Sequence, residues 1–297
     1  MFDDEAADGL LIEATKKLLW LWQQDGWAKE LLSRRWPPIL WFGNARSPKR
    51  KILTIGANPS RWEYLDNSCR GDLKMYKKTG DESLLKKLCH LDKPRFRVLD
   101  EASESLERIL ADRTVRGEIV QGYNDYFSSN PYHLWFGHPK EDSYKVEGFL
   151  RGLGASFYTA ETMPYQAIHI DLLPFATLSN FGEIRQQMAS ADLFDSGWAR
   201  QTVASLGRLF HPMAIIVFGK TNACYLAKHV DGSVSRLPWI QYPGAGASYQ
   251  IGAAEALGAK IIGLSVNLGN PRGFDSAGIH DFGSHVGNVM GLRNHRA

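Results

Sequence analysis

The fold is decided by the segment Lys-Ile-Leu-Thr-Ile at 51–55, which runs directly into Gly-Ala-Asn-Pro-Ser at 56–60. The first five residues form a short apolar run of the kind that predicts a buried strand. The next five have the composition of a turn. In sheets built from parallel strands, ligands bind beyond the carboxyl ends of the strands. The turn at 56–60 is therefore the first place to look for a functional site.

Strands and helices alternate further along the chain. The apolar run at 213–218 is continuous, as expected of a parallel strand that is buried on both faces. We predict strands also at 167–173, 239–242 and 260–266, and helices at 10–24, 199–210, 221–228 and 253–259. This alternation predicts an α/β protein with three α/β/α layers and a mostly parallel central sheet. The loops at the predicted carboxyl edge are then 56–61, 171–177, 219–222 and 242–249.

The composition is that of a globular protein, with 297 residues, 44% of them hydrophobic and 23% charged. These values exclude wholesale disorder. The net charge of +3 permits nucleic acid as a partner without requiring it. Between residues 61 and 97, however, ten Lys and Arg stand against six Asp and Glu. This excess indicates either a surface for a nucleic-acid backbone or a solvated helical insertion.

We predict a single domain over residues 1–297, with a helical extension at 1–45 and a basic helical insertion at about 61–125. The chain has three scattered cysteines, which excludes a disulfide framework and a four-cysteine metal site. The acidic start is unlike a secretory or transit signal, and no apolar run reaches the roughly 20 residues of a membrane span. We therefore expect a cytoplasmic protein of bacterial or phage-associated origin, with no membrane contact and no obligate protein partner.

Common cofactor and nucleophile motifs are missing from the sequence, which contains no GxxxxGK[ST], GxSxG or HExxH. The acidic and histidine residues near the carboxyl terminus match no metal-ligand spacing. We therefore expect neither a cofactor nor a metal. The glycine-rich loop at 244–252 falls short of a dinucleotide fingerprint, although an unrelated nucleotide-binding enzyme remains an alternative.

The turn at 56–60 resembles the first active-site motif of the uracil-DNA glycosylase superfamily, in which two branches carry Gly-x-Asn-Pro-Gly. Four later segments follow in the family's order. They are Asn-Pro-Tyr-His-Leu-Trp-Phe at 130–136, Ile-His-Ile-Asp-Leu-Leu-Pro at 168–174, Ile-Val-Phe-Gly-Lys-Thr at 216–221 and Tyr-Pro-Gly at 242–244. The resemblance covers roughly residues 50–250. It implies a glycosylase-like fold and an enzyme that flips a base out of DNA and hydrolyses its N-glycosidic bond.

The resemblance also implies roles for individual residues. Asn58 would orient the attacking water, because an oxocarbenium-like sugar needs little base strength for water to add. Trp135 or Phe136 would stack on the flipped base, with Ala57 beside it. Contacts to DNA would come from Ser60, Arg61, Lys220, Gly244, Gly246, Ser248 and Tyr249, the last as a wedge in the vacated space. Lys220 is the sole candidate near the site for a lyase amine.

Two positions depart from the family pattern. Asp171 stands where uracil glycosylases usually have Asn, and a carboxylate can accept from an exocyclic amine but cannot donate to O4 of uracil. The alternative is that Asp171 merely pairs with His169 or caps the next helix. Tyr242 stands where the family usually has His, and its phenol can donate to O2 of the leaving base. The alternative is an aromatic residue at a strand end.

Together these residues predict a DNA glycosylase that leaves an abasic site and acts on a cytosine-type base. Since removal of normal cytosine would destroy the host genome, we expect a modified cytosine, hydroxymethylated or glucosylated. The resemblance implies a role in defence against phage DNA, since some branches of the superfamily serve that purpose. The alternatives are a uracil or hypoxanthine repair glycosylase and a DNA-binding module without catalysis. Preference for single- or double-stranded DNA is left open.

Overall fold

The structure is a computed structural model that describes residues 2–24, 36–81, 83–84, 95–96, 99, 106–140, 142–158, 162–177, 197–229, 238–244, 246–254 and 257–292. The helical pieces expected at Leu84–Leu91 and Ala102–Ile109 lie largely outside these residues. The second of them is described from residue 106 onward, where it is helical.

Nine α-helices lie in the described part of the chain. They are α1 (Asp4–Leu21), α2 (Arg70–Thr79), α3 (Leu106–Ala111), α4 (Arg113–Ser129), α5 (His133–Phe136), α6 (Lys145–Leu153), α7 (Trp198–Phe210), α8 (Lys220–His229) and α9 (Ser276–Val289). The predicted helix at 10–24 begins earlier, at Asp4. Its start is fixed by Asp3, whose carboxylate accepts from the backbone N–H groups of Glu5 and Ala6.

Seven strands form one sheet in the described residues. They are β1 (Arg50–Gly56), β2 (Ala155–Ser156), β3 (Tyr165–Asp171), β4 (Ala214–Val217), β5 (Ile240–Gln241), β6 (Ser248–Ala254) and β7 (Ala259–Leu264). Their order across the sheet is β2-β3-β1-β4-β7-β6-β5. The first five strands in this order are parallel, and β6 and β5 are antiparallel to their neighbours. The expected mixed α/β fold with a mostly parallel sheet is confirmed.

The pair of β1 and β3 lies in the parallel part of the sheet, with β1 next to the central strand β4. All seven residues of β3 are buried, and β1 is buried from Lys51 onward. Burial on both faces explains the continuous apolar runs, because an alternating pattern would place polar groups against a covering helix. The register pairs Gly56 with Asp171, so both strands end at the same edge.

Helices connect the parallel strands, an arrangement consistent with three layers. The segment from α2 to α6 leads from β1 to the outer strand β2, α7 leads back to β4, and α8 leads to the β5–β7 region. Right-handed crossovers that run in opposite directions place their helices on opposite faces of a sheet. Helix α1 packs against α3, α4 and α7. Its residues Ala7 and Leu11 belong to the same hydrophobic core as β1.

The predicted helix at 253–259 is wrong. Residues up to Ala254 belong to β6, which turns back and pairs with β7 in antiparallel register, Tyr249 opposite Leu264 and Ala254 opposite Ala259. The small residues of this segment have no strong strand propensity, so local sequence favours a helix. Pairing with the exposed edge of β7 overrides that preference.

Helices α6 and α9 cross at backbone contact. A Cβ atom at Gly283 would overlap the carbonyl oxygen of Phe149, and one at Gly152 would overlap the carbonyl oxygen of His280. The two glycines thus let the helices approach more closely than any side chain permits. The contact anchors the carboxyl-terminal helix against the first half of the chain.

Replacement of Gly283 by Ala is expected to destabilise the protein by about 1–3 kcal/mol, because the helices must separate to admit a methyl group. The matched control is Gly117→Ala in α4, where a Cβ atom meets nothing within 4 Å. That change is expected to stabilise the protein by roughly 0.5–1 kcal/mol. Urea unfolding of both variants measures the difference. Equal effects would contradict the close helix contact.

Candidate active site

A cavity of about 660 Å³ opens at the carboxyl edge of the sheet. Its walls come from the turns after β1, β3 and β4, from α5 and from the segment after β7. The lining residues that matter below are Ala57, Asn58, Ser60, Arg61, Trp62, Glu63, Tyr132, Trp135, Phe136, His169, Asp171, Thr177, Phe218, Lys220, Ser265 and Asn267. Three of the four predicted loops therefore meet in one place.

Backbone hydrogen bonds join the turn after β1 to the loop after β3. The N–H of Leu172 donates to the carbonyl of Gly56 at 3.3 Å, and the N–H of Leu173 donates to that of Ala57 at 3.0 Å. These bonds continue the pairing of the strands past their ends. As a result, the side chains of Asn58 and Asp171 enter the same cavity.

Asn58 is held by its amide nitrogen. Nδ2 donates to Oγ1 of Thr177 at 3.0 Å and to the carbonyl of Pro59 at 3.2 Å. Both amide hydrogens are thereby used, which leaves the amide oxygen as the group that can accept from a water. The side chain is fixed in an orientation that suits a water-binding role.

Asp171 both pairs with His169 and lines the cavity, so the two alternatives for this residue are not exclusive. The hydroxyl of Thr54 donates to the carbonyl of Ile168 at 3.2 Å and therefore accepts from Nδ1 of His169 at 2.9 Å. Nε2 of the same ring lies 3.4 Å from Oδ1 of Asp171. Asp171 is thus held beside His169 on the same face of β3.

Position 56 must be a glycine because of the His169–Asp171 pair. A Cβ atom there would overlap Oδ1 of Asp171 and would lie 2.9 Å from Nε2 of His169. The glycine of the turn therefore makes room for the two polar side chains that the neighbouring strand presents.

Glu63 is a second carboxyl group in the cavity wall, and the sequence reasoning missed it. It is 2% exposed and follows the turn at 57–60 in a short 3-10 helix that begins after Ser60. Its Oε2 accepts from the hydroxyl of Tyr126 at 2.8 Å. Burial raises the pKa of Glu63 to about 8, with the charge of Asp171 adding to the effect and Tyr126 and Arg95 opposing it. At neutral pH this side chain is an uncharged acid.

Aromatic rings form the floor of the cavity. Phe136 is 2% exposed and packs among Phe42, Phe127 and Phe157, so its ring belongs mainly to the core. Trp135 is partly exposed, and its ring centroid lies 5.0 Å from that of His169. Of the two predicted stacking residues, Trp135 is the one that keeps partial exposure.

Arginines and aromatic rings alternate around the mouth, which we call the arginine–aromatic rim. The guanidinium groups of Arg61 and Arg70 each lie 5.3 Å from the ring centroid of Trp62. That of Arg95 lies 5.0 Å from the ring centroid of Tyr132. On another side of the mouth, Nζ of Lys220 lies 5.5 Å from the ring centroid of Trp239. Three of the ten basic residues of 61–97 thus lie over two rings, Trp62 and Tyr132, that line the cavity.

The predicted residues of the fourth loop do not line the cavity. The ring of Tyr242 lies 4.7 Å from that of Phe282 in α9, so its position does not support a role in bond breaking. Tyr249 is 5% exposed and bonds through its hydroxyl to His285 at 3.1 Å, which excludes a wedge role in this conformation. Gly244, Gly246 and Ser248 lie in the same antiparallel edge. Ser248 adjoins the cavity wall, since its N–H donates to Oγ of Ser265, which lines the cavity.

The position of the fourth loop away from the cavity has a structural reason. A parallel strand at 239–242 would end at the cavity, but β5 and β6 form an antiparallel ribbon at the far edge of the sheet. Its connecting loop packs on α9 instead. The missed residues lie close in sequence to predicted ones, and this closeness could have indicated them. Trp62 and Glu63 directly follow the turn at 56–60, and Tyr132 precedes the predicted stacking residues.

Comparison of the chain with protein-family models, with curated proteins and with solved structures gives no match. Across the described residues, no helix has the length and apolar character needed to cross a membrane. The same residues contain no group of three or more His, Cys, Asp or Glu side chains that could hold a metal ion.

The raised pKa of Glu63 predicts a pH-dependent stability. A raised pKa means that the folded state binds a proton where the unfolded glutamate, with its ordinary value of 4.5, is ionised. The free energy of unfolding of the wild type should therefore fall as the pH rises from about 4.5 to about 8. Glu63→Gln keeps an acceptor for Tyr126 and does not titrate, so its stability relative to wild type should increase over this range by roughly 3–5 kcal/mol.

Urea unfolding at pH 5 and at pH 8.5 measures this change. The control is Glu107→Gln, which alters an exposed glutamate on α3 and should show no pH-dependent gain. A constant difference between wild type and Glu63→Gln at both pH values would contradict the protonated state of Glu63.

Proposed function

We propose that this chain is a DNA glycosylase that resembles the uracil-DNA glycosylase superfamily and hydrolyses the N-glycosidic bond of an extruded base. The observation that carries the proposal is the meeting of Asn58, Asp171 and Trp135 in one cavity. These residues come from three separate motifs, and the order of those motifs was the basis of the resemblance. The proposal needs no cofactor.

The proposed reaction begins with extrusion of the nucleotide, which costs a few kcal/mol of stacking and pairing. Contacts between phosphates and the arginine–aromatic rim would offset this cost, since cations that neutralise phosphates supply most of the affinity for DNA. The exposed face of Trp135 suits a flipped base. A cavity of about 660 Å³ has room for a base that carries a substituent, because small-molecule sites span about 300–1,000 Å³.

Bond breaking leaves an oxocarbenium-like sugar, to which water adds without strong base assistance. The amide oxygen of Asn58 is the proposed acceptor for that water. Its nitrogen is engaged by Thr177 and Pro59, so the water meets an acceptor whose orientation is set before the substrate arrives.

The proposed substrate is a modified cytosine, hydroxymethylated or glucosylated, in DNA foreign to the host. This part rests on Asp171, whose carboxylate suits the exocyclic amine of cytosine and not O4 of uracil. A defence function against phage DNA follows from the resemblance and from the toxicity of an enzyme that removes normal cytosine.

Asn58→Ala is expected to lower the rate of base release at least about 100-fold, because the water loses its acceptor and its position. The assay uses oligonucleotides with uracil, hypoxanthine, cytosine, hydroxymethylcytosine or its glucosylated form, followed by alkaline cleavage at abasic sites. The control is Asn288→Ala, which alters an exposed amide at the end of α9. An unchanged rate in Asn58→Ala would exclude the water-positioning role.

Asp171→Asn is expected to shift the preference of the enzyme from cytosine-type bases toward uracil, because an amide can both donate to O4 and accept from N3–H. The ratio of release rates on the same oligonucleotides measures the shift, with Asp281→Asn on the exposed side of α9 as the control. Scission with uracil alone in the wild type would favour a repair glycosylase. DNA binding with a steep salt dependence and no base release would favour a non-catalytic module.

A further inference from the structure

With Tyr242 outside the cavity, the proposed reaction has no assigned donor for the leaving base. Charge develops on the ring of the base as the glycosidic bond breaks, and a donor aimed at that charge is commonly worth a large part of the rate. Glu63 lines the cavity wall and is 2% exposed, and it is Oε2 that accepts from Tyr126.

The hydrogen bonds around Glu63 locate its proton. The hydroxyl of Tyr126 accepts from the backbone N–H of Tyr132 at 3.0 Å, so its own hydrogen is directed at Oε2 of Glu63. When Glu63 is protonated, Oε2 is already an acceptor, and the hydrogen resides on Oε1. The side chain then presents an O–H donor to the cavity that it lines.

We propose, on the basis of the proposed function, that Glu63 donates a hydrogen bond from Oε1 to the ring nitrogen N3 of the flipped base while Asp171 accepts from the exocyclic amine. A donor beside an acceptor matches the amino edge of cytosine, where N3 accepts and N4 donates. Uracil and hypoxanthine present the opposite arrangement, a ring N–H beside a carbonyl. Adenine presents the same pattern as cytosine, which makes it a useful second probe.

The same hydrogen bond assists the reaction. As the base leaves, negative charge accumulates on its ring and the bond from Glu63 strengthens, so the donor stabilises the transition state more than the ground state. Glu63 is therefore proposed both to select the base and to speed its departure. No proton need be transferred, and an amide at this position can do the same.

The donor exists only while Glu63 keeps its proton, whose pKa is raised to about 8 by burial. The charged and titratable groups that face it are Arg95, Asp171, Tyr64, Tyr126 and Tyr132, with Arg61 and Arg70 beyond Tyr132. The pKa values of the three tyrosines are themselves raised, chiefly by burial, so these phenols stay neutral where Glu63 titrates. Activity that depends on the donor should fall above about pH 8.

Two substitutions separate the donor from a structural role. Glu63→Gln retains an N–H donor and cannot titrate, so it should keep activity at pH 7 within a few-fold and lose the decline above pH 8. Glu63→Ala should lower base release about 100-fold at every pH value, as expected for removal of one transition-state donor. Unfolding midpoints of both variants show whether each is folded, and Glu107→Gln is the matched control. Wild-type activity in Glu63→Ala, or an unchanged alkaline decline in Glu63→Gln, would overturn the proposal.

A binding measurement tests the donor even if no base is released, so that failure of the proposed function is distinguished from failure of this inference. Free cytosine, adenine, uracil or hypoxanthine is added to the protein, and binding is followed by the change in tryptophan fluorescence. Trp62 and Trp135 line the cavity, so a bound base is expected to alter their emission. At pH 6.5 cytosine should bind more tightly than uracil, and adenine more tightly than hypoxanthine. Both preferences should shrink in Glu63→Ala, in which Asp171 alone is left to distinguish the two kinds of base edge. Equal binding of the four bases at pH 6.5 would overturn the inference.

Discussion

The parallel pairing of β1 with β3 is the constraint on which the candidate site depends. Its register places Gly56 opposite Asp171, and the missing side chain of the glycine is the space that Asp171 and His169 occupy. A slip of one residue would turn Asp171 to the other face of the sheet. The hydrogen bonds that continue beyond the strand ends then bring Asn58 to the same cavity. One backbone register thus sets the positions of Asn58 and Asp171, to which the proposed function assigns the water and the base.

The two carboxyl groups of the cavity differ because their partners differ. Oδ1 of Asp171 faces Nε2 of His169 at 3.4 Å. Glu63 faces a neutral phenol at its Oε2 and is almost fully buried, and Asp171 is close enough for its charge to add to the rise in the pKa of Glu63. Like charges in one low-dielectric site oppose each other's ionisation. In the proposed recognition of the base, Asp171 is the acceptor and Glu63 the donor, although both side chains are carboxyl groups.

Sequence patterns predicted the parallel part of the fold because burial on both faces leaves an unmistakable apolar run, as at 213–218. They also placed Asn58 and Asp171 at one edge, since parallel strands end together, whereas Trp135 was predicted from the resemblance alone. They failed at 239–259, where the pairing of β6 with β7 is a long-range choice that small residues do not encode. Tyr242 and Tyr249 were expected at the cavity for the same reason, and the structure places them elsewhere. Glu63 was missed because its environment depends on Tyr126, which is 63 residues away in the chain.

The net charge of +3 for the whole chain does not reveal the positive charge that lies near the cavity. Arg61, Arg70 and Arg95 lie over aromatic rings near the cavity, an arrangement that the flat guanidinium group favours. Trp62 and Tyr132, which hold these arginines, also line the cavity. In the proposed function, contacts to the DNA backbone and recognition of the base would therefore share the rings of Trp62 and Tyr132.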